Sequence, residues 1–160
     1  DSQEADVLAR DLSQRFKEDT LVQFNYLPTL RAKLALNRGK AAEAVESLKA
    51  AAAYELGEAT AAPYSWYALY PAYVRGEALL AERHGKEGAA EFQKILDQRG
   101  LALNEPIGAL ASLELGRAYA SEGDATKARA AYEKFLTLWK DADADIPILK
   151  QAKAEYAKLK

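Results

Sequence analysis

Small residues recur in this chain at fixed distances from large ones, and that spacing demands helices that pack very closely. In ALASLELGRAYASEGDATKARAAYEKFL, residues 109–136, Leu115-Gly116, Tyr119, Gly123-Asp124, Ala128, Tyr132 and Phe135 follow one another at steps of three and four. Those steps are the period of an α-helix, and Gly123 marks the turn between two of them. Two weaker copies precede this one. In residues 25–52, Ala32, Ala35, Gly39-Lys40, Ala44, Leu48 and Ala51 fall at the same offsets. In the middle copy Gly76, Leu79, Gly88, Phe92 and Ile95 match, while the turn, read at His84-Gly85, is displaced. From Ala32 to Gly76 to Gly116 the steps are 44 and then 40 residues.

The rest of the chain has the same helical period and no alternating strand pattern, which predicts an all-α protein of about eight helices. Breaks fall at 17–19, Arg38-Gly39, 57–63, His84-Gly85, Arg99-Gly100, Gly123-Asp124 and 141–145. Thr20 with Gln23 reads as a capping box. Asn104 and Asp145 read as N-caps, each with a proline, Pro106 or Pro147, in the first turn. Gly39 and Gly123 stand where helices should stop. Pro28 predicts one kinked helix over 21–36. Pro71 fits the first turn of a helix that begins near Tyr70, or bends one that begins at Trp66.

Composition removes several classes of function. A chain of 160 residues is long enough for one domain with its own core. Net charge is −2 with both signs interleaved, so no nucleic-acid footprint is expected. No apolar run approaches the ~20 residues of a membrane span. With no cysteine and one histidine, His84, there is no thiolate or zinc–sulfur chemistry and little scope for acid–base work. The opening Asp1 leads to the expectation of a fragment excised from something longer.

The pattern of 109–136 resembles the tetratricopeptide repeat, departing from it at the early tryptophan position, here Ser112, and at the closing proline. The connections are longer than in the family, whose unit is about 34 residues. The resemblance implies a right-handed α-solenoid of about three helical hairpins: a leading helix at 1–18, repeats at 20–56, 66–99 and 104–140, and a closing helix at 146–159. Over nearly the whole chain, LVQFNYLPTLRAKLALNRG, ALYPAYVRGEALL, EFQKILDQRG, NEPIGALASLELGRAYA and FLTLWKDADADIPILKQAKAEYAKL resemble the C-terminal repeat region of bacterial serine/threonine protein kinases. No kinase glycine-rich loop, catalytic Asp loop or Asp-Phe-Gly motif is present, so no kinase activity is carried over. That likeness implies an extracytoplasmic position if a membrane span precedes the region, and a cytoplasmic one otherwise.

In the repeat family the first helix of each pair lines a concave groove. The register places Tyr26, Thr29, Lys33, Leu36 and Asn37 there in the first repeat and Tyr70, Tyr73, Glu77, Leu80 and Ala81 in the second, with Trp66 one turn further back. In the third repeat Leu110, Leu113, Arg117, Ala120 and Ser121 take these positions. The expected site is an aromatic floor flanked by Lys33 and Arg117, binding a protein or peptide. The alternative is that these rings pack between repeats. The clamp with which such repeats grip chaperone C-termini is missing, because its key positions hold Thr29-Leu30, Tyr73-Val74 and Leu113-Glu114. Asp141, Asp143 and Asp145 imitate a calcium loop, but Ile146 and Ala152 stand where Gly and Glu are required, which leaves a solvated turn. His84 is read as favouring the C-terminal end of a helix. The expected function is a non-catalytic interaction module without cofactor or metal. The alternatives are an oligomerisation or spacer element of a larger signalling protein, and a designed or consensus repeat scaffold.

Overall fold

Gly39 and Gly123 take left-handed backbone angles, φ 73° and 78°, and between them Arg83 does the same at φ 63°. The computed structural model describes residues 2–56, 68–102 and 105–159. At all three turns one hydrogen-bond pattern closes the preceding helix: Gly39 N to Leu36 O with Lys40 N to Ala35 O, Arg83 N to Leu80 O with His84 N to Leu79 O, and Gly123 N to Ala120 O with Asp124 N to Tyr119 O. Each is the pair of bonds by which a left-handed residue satisfies the last carbonyls of a helix. Arg83 lies 44 residues after Gly39 and 40 before Gly123, the spacing of the small residues. The middle turn is therefore in register. It appears displaced in the sequence because an arginine occupies the position that glycine marks elsewhere. His84 correspondingly sits at the N-terminal boundary of the next helix and not at the end of the previous one.

Nine α-helices form among the described residues, with no strand: α1 Ser2–Arg15, α2 Leu27–Asn37, α3 Ala41–Ser47, α4 Tyr70–Ala81, α5 Gly85–Asp97, the short α6 Arg99–Ala102, α7 Ile107–Ser121, α8 Ala125–Leu138 and α9 Pro147–Tyr156. A 3-10 turn, Leu48–Ala51, extends α3. A π-helical turn, Val22–Tyr26, leads directly into α2, with helical backbone angles at Leu21, Tyr26 and Leu27. This is the form the expected kink takes. Pro28 has no N–H, and its ring would strike the carbonyl four residues back in a regular α-helix. Widening to i→i+5 bonds relieves that contact. Thr29 Oγ1 donates 2.7 Å to the Asn25 carbonyl.

Two capping expectations are revised. Asp19, not Thr20, caps this helical run, its Oδ1 accepting from Val22 N at 2.9 Å. Gln23 reaches back instead, donating to the carbonyls of Ser13, in the last turn of α1, and Phe16, just beyond it. Before α9 the boundary residue is Ile146, with no side-chain cap, and Asp145 takes no part. Pro71 lies in the first turn of α4, which begins at Tyr70. Asn104 and residues 57–67, Trp66 among them, lie outside the described residues.

Packing within each hairpin rests on a small residue and a bulky one sixteen positions later: Ala32 with Leu48, Gly76 with Phe92, Gly116 with Tyr132. A Cβ on Gly76 would stand 2.6 Å from the Phe92 ring, and one on Gly116 2.7 Å from the Tyr132 ring. Where the small residue is alanine, the bulky one is the smaller leucine, and both are fully buried. Extensive contacts link α2 to α3, α3 to α4, α4 to α5, α5 to α7, α7 to α8 and α8 to α9. The first helices of successive hairpins also touch, α2 with α4 and α4 with α7, whereas the second helices α3, α5 and α8 make no extensive contact with one another. Apolar clusters consequently follow one another along the chain. Tyr73 packs against both the first and the second of them. Helix α7 is buried on two sides, with Leu115 facing α5 and Leu113 packed among residues of α8 and α9.

Candidate functional site

Because α2, α4 and α7 touch in succession, their side chains share one face. Lys33 Nζ on α2 pairs with Glu77 Oε2 on α4 at 2.6 Å, bringing together two residues that the repeat register assigns to a groove. One helical turn and more towards the start of these helices, Tyr26 and Tyr70 border a common hollow with Leu12, Asn25, Thr29 and Leu30. The hollow has a volume of about 300 Å³, and the surface its lining residues turn towards it is apolar. Asn25 is buried beside it, its Nδ2 donating 3.3 Å to the Ala68 carbonyl. Tyr70 donates its hydroxyl to Glu105 Oε2 at 2.9 Å, ahead of α7.

Tyr73 has a different role. Its ring meets Phe92 edge-on, centroids 5.8 Å apart at 68°. Burial, and then the carboxylates of Glu114 and Glu77, push its hydroxyl well above the usual tyrosine range. Of the two aromatic residues foreseen for the floor of α4, Tyr70 borders the hollow and Tyr73 packs between hairpins.

At the far end of the face α9 closes the surface. Arg117 Nε and Nη2 reach Glu155 Oε2 and Oε1 at 2.9 and 3.1 Å, and Nη1 reaches Glu114 Oε1 at 2.6 Å. Tyr132 donates to the same Glu155 oxygen at 2.9 Å. Burial works against the Arg117 charge, but its two carboxylate partners outweigh that and hold its proton more firmly than usual. Glu114 is pushed up by burial, which the adjacent guanidinium only partly offsets. For Glu155 burial also acts upward, but hydrogen bonds from Arg117 and Tyr132 prevail and hold it below the usual carboxylate range. Arg117, foreseen as a basic flank for a ligand, is thus engaged by α9. Leu113 is fully buried in the cluster that contains Leu149 and Ala152 of α9.

Ser121 donates to the Ala118 carbonyl at 2.7 Å and lies against Gly85 at the start of α5. Asn37 is exposed at the end of α2. Asp141, Asp143 and Asp145 are all exposed, and no group of His, Cys, Asp or Glu among the described residues could hold a metal ion. No helix among them is long and apolar enough to cross a membrane.

A further polar cluster had no expectation attached to it. Arg75 on α4 forks between Glu55, at 2.6 and 3.2 Å, and Glu91 on α5, at 2.9 Å. Lys94 joins both carboxylates at 3.0–3.2 Å. Two cations thus balance two anions, with the Glu55 side chain only 4% exposed. Such a closed set fixes the chain at 55 onto the α4–α5 hairpin. Its one sequence signal is an arginine inside the apolar run ALYPAYVRGEALL.

No family model, no curated protein and no solved structure matches this chain.

Proposed function

We propose that the chain is a tetratricopeptide-like right-handed solenoid whose first helices, α2, α4 and α7, carry a partner segment, and that it acts as a non-catalytic protein-binding module. Three observations support the repeat reading: the shared left-handed turns, the matched small and bulky pairs, and the contact of first helix with first helix. The kinase-type likeness of the sequence adds a setting, a recognition region of a larger signalling protein.

The observation that carries the binding reading is the apolar hollow between Tyr26 and Tyr70. Ligand sites are typically concave and mainly apolar, with a few polar groups that fix orientation, and about 300 Å³ is the lower end of their range. A bulky apolar side chain of the partner would anchor there, with the Lys33–Glu77 pair beside it to set register. Peptides selected from a displayed random library, titrated calorimetrically, test this. They are expected to share a large apolar residue. Thr29→Trp, which fills the hollow, is expected to weaken them more than about tenfold, the loss of one buried anchor. Unchanged affinity in a normally folded Thr29→Trp protein would sink the reading.

A further inference from the structure

The hollow at Tyr26 and Tyr70 has a neighbour. Leu12 and Leu30 form a wall shared with a second depression, of about 520 Å³, that runs between α1 and α2. Its floor is the apolar stripe Ala5, Leu8 and Leu12 of α1 with Phe16 just beyond its end, at i, i+3, i+7 and i+11, facing Leu30 and Leu34 of α2. Among the described residues these side chains stand open: Leu8 is 60%, Phe16 48% and Leu30 46% exposed. Apolar surface gathered in one concave patch, in contrast to single scattered leucines, marks an interaction surface.

The rim indicates the occupant. Asp11 and Arg15 lie along one edge of the trough, paired to each other at 2.8 Å but with side chains 46% and 70% exposed, so that their mutual hold is weak. Glu4 and Asp6 make the first half of α1 acidic, although Asp6 is paired with Arg38, and in the second half Arg10 and Arg15 outnumber Asp11. A helix with this polarity complements itself when turned end for end. We infer that the trough between α1 and α2 receives α1 of a second copy, in an antiparallel two-fold pairing. With the two-fold axis beside Leu12, Leu8 meets the partner's Phe16, and Asp11 comes within reach of the partner's Arg15. The two helix dipoles then also oppose one another favourably. An isologous contact of this kind closes on itself and gives a dimer, not a filament. The trough shares Leu12 and Leu30 with the Tyr26–Tyr70 hollow and also borders Lys33, but its stripe on Ala5, Leu8 and Phe16 lies outside that hollow, so the pairing goes beyond the peptide-binding reading.

Sedimentation velocity over a hundredfold range of concentration tests the pairing, starting from a single-chain mass of 17.5 kDa. The expected result is a shift toward twice that mass. Leu8→Glu should abolish the shift while circular dichroism stays unchanged and selected peptides still bind. D11R and R15D should each weaken association more than about tenfold by setting like charges together. Mixing the D11R and R15D chains should restore it, because opposite charges then face each other. A protein that remains monomeric throughout overturns the inference, as does a dimer insensitive to Leu8→Glu or a mixture no stronger than its components. Protection of Leu8 only when another protein segment is added gives the trough a different occupant and likewise overturns it.

Discussion

Arg83 is held in a backbone conformation that costs an ordinary L-residue about 1–2 kcal/mol, because its Cβ crowds the adjacent carbonyl. Gly39 and Gly123 meet the same geometric demand without that crowding. Arg83 is exposed, so its side chain contributes little burial in return. Arg83→Gly is therefore expected to raise stability by about 1 kcal/mol, offset slightly by greater freedom of the unfolded chain, as measured by urea unfolding. The glycines inside helices behave in the opposite way. Gly76→Ala would gain about 1 kcal/mol from helix propensity. The added methyl, however, would lie 2.6 Å from the Phe92 ring, and overpacking of that kind costs about 1–3 kcal/mol. The clash should prevail, so Gly76→Ala is expected to destabilise. Adding Phe92→Leu, which copies the Ala32–Leu48 pair, should recover part of the loss, and a double-mutant cycle measures the coupling.

At the scale of elements, the docking of α9 depends on two glutamates whose acidities move in opposite directions. Glu155 is held below the ordinary value of about 4.3, so the stability it contributes is complete above that pH and is lost as pH falls toward its folded value. Glu114 is raised, so its ionisation opposes folding progressively as pH rises above about 4.3. Gln mimics the protonated form of either residue. Glu114→Gln should melt at a temperature equal to or above the parent at neutral pH, with the gain disappearing in acid. Glu155→Gln should melt lower at neutral pH, by about 1.5–3 kcal/mol for the lost charged hydrogen bonds, with the deficit shrinking in acid. Thermal melts of both variants from pH 3 to about 8 supply the check. Two parallel profiles would remove the assigned roles.

Over the whole molecule, what the sequence revealed was local in origin. Three-and-four spacing and two turn glycines place most helices, because period and left-handed backbone are properties of a few consecutive residues. The middle turn was misread since an arginine carries no signature of φ 63°. The cap at Asp19 was assigned to its neighbour because the two are adjacent oxygen-bearing candidates for one amide. At the candidate site, the register expected from the repeat likeness puts Lys33 and Glu77, 44 residues apart, on one face, and what the structure adds is their ion pair. The seizure of Arg117 was not legible, since Glu155 lies on an element that carries no repeat offset. Nor was the division of labour between Tyr70 and Tyr73, which depends on what each ring meets in space.

Each bulky side chain finds its socket sixteen residues earlier, inside its own hairpin, and the size of one is matched to the size of the other. A hairpin moved as a cassette therefore brings its own internal fit along. Such a hairpin is expected to transfer as a unit, leaving only its contacts with the neighbouring helices to be adjusted.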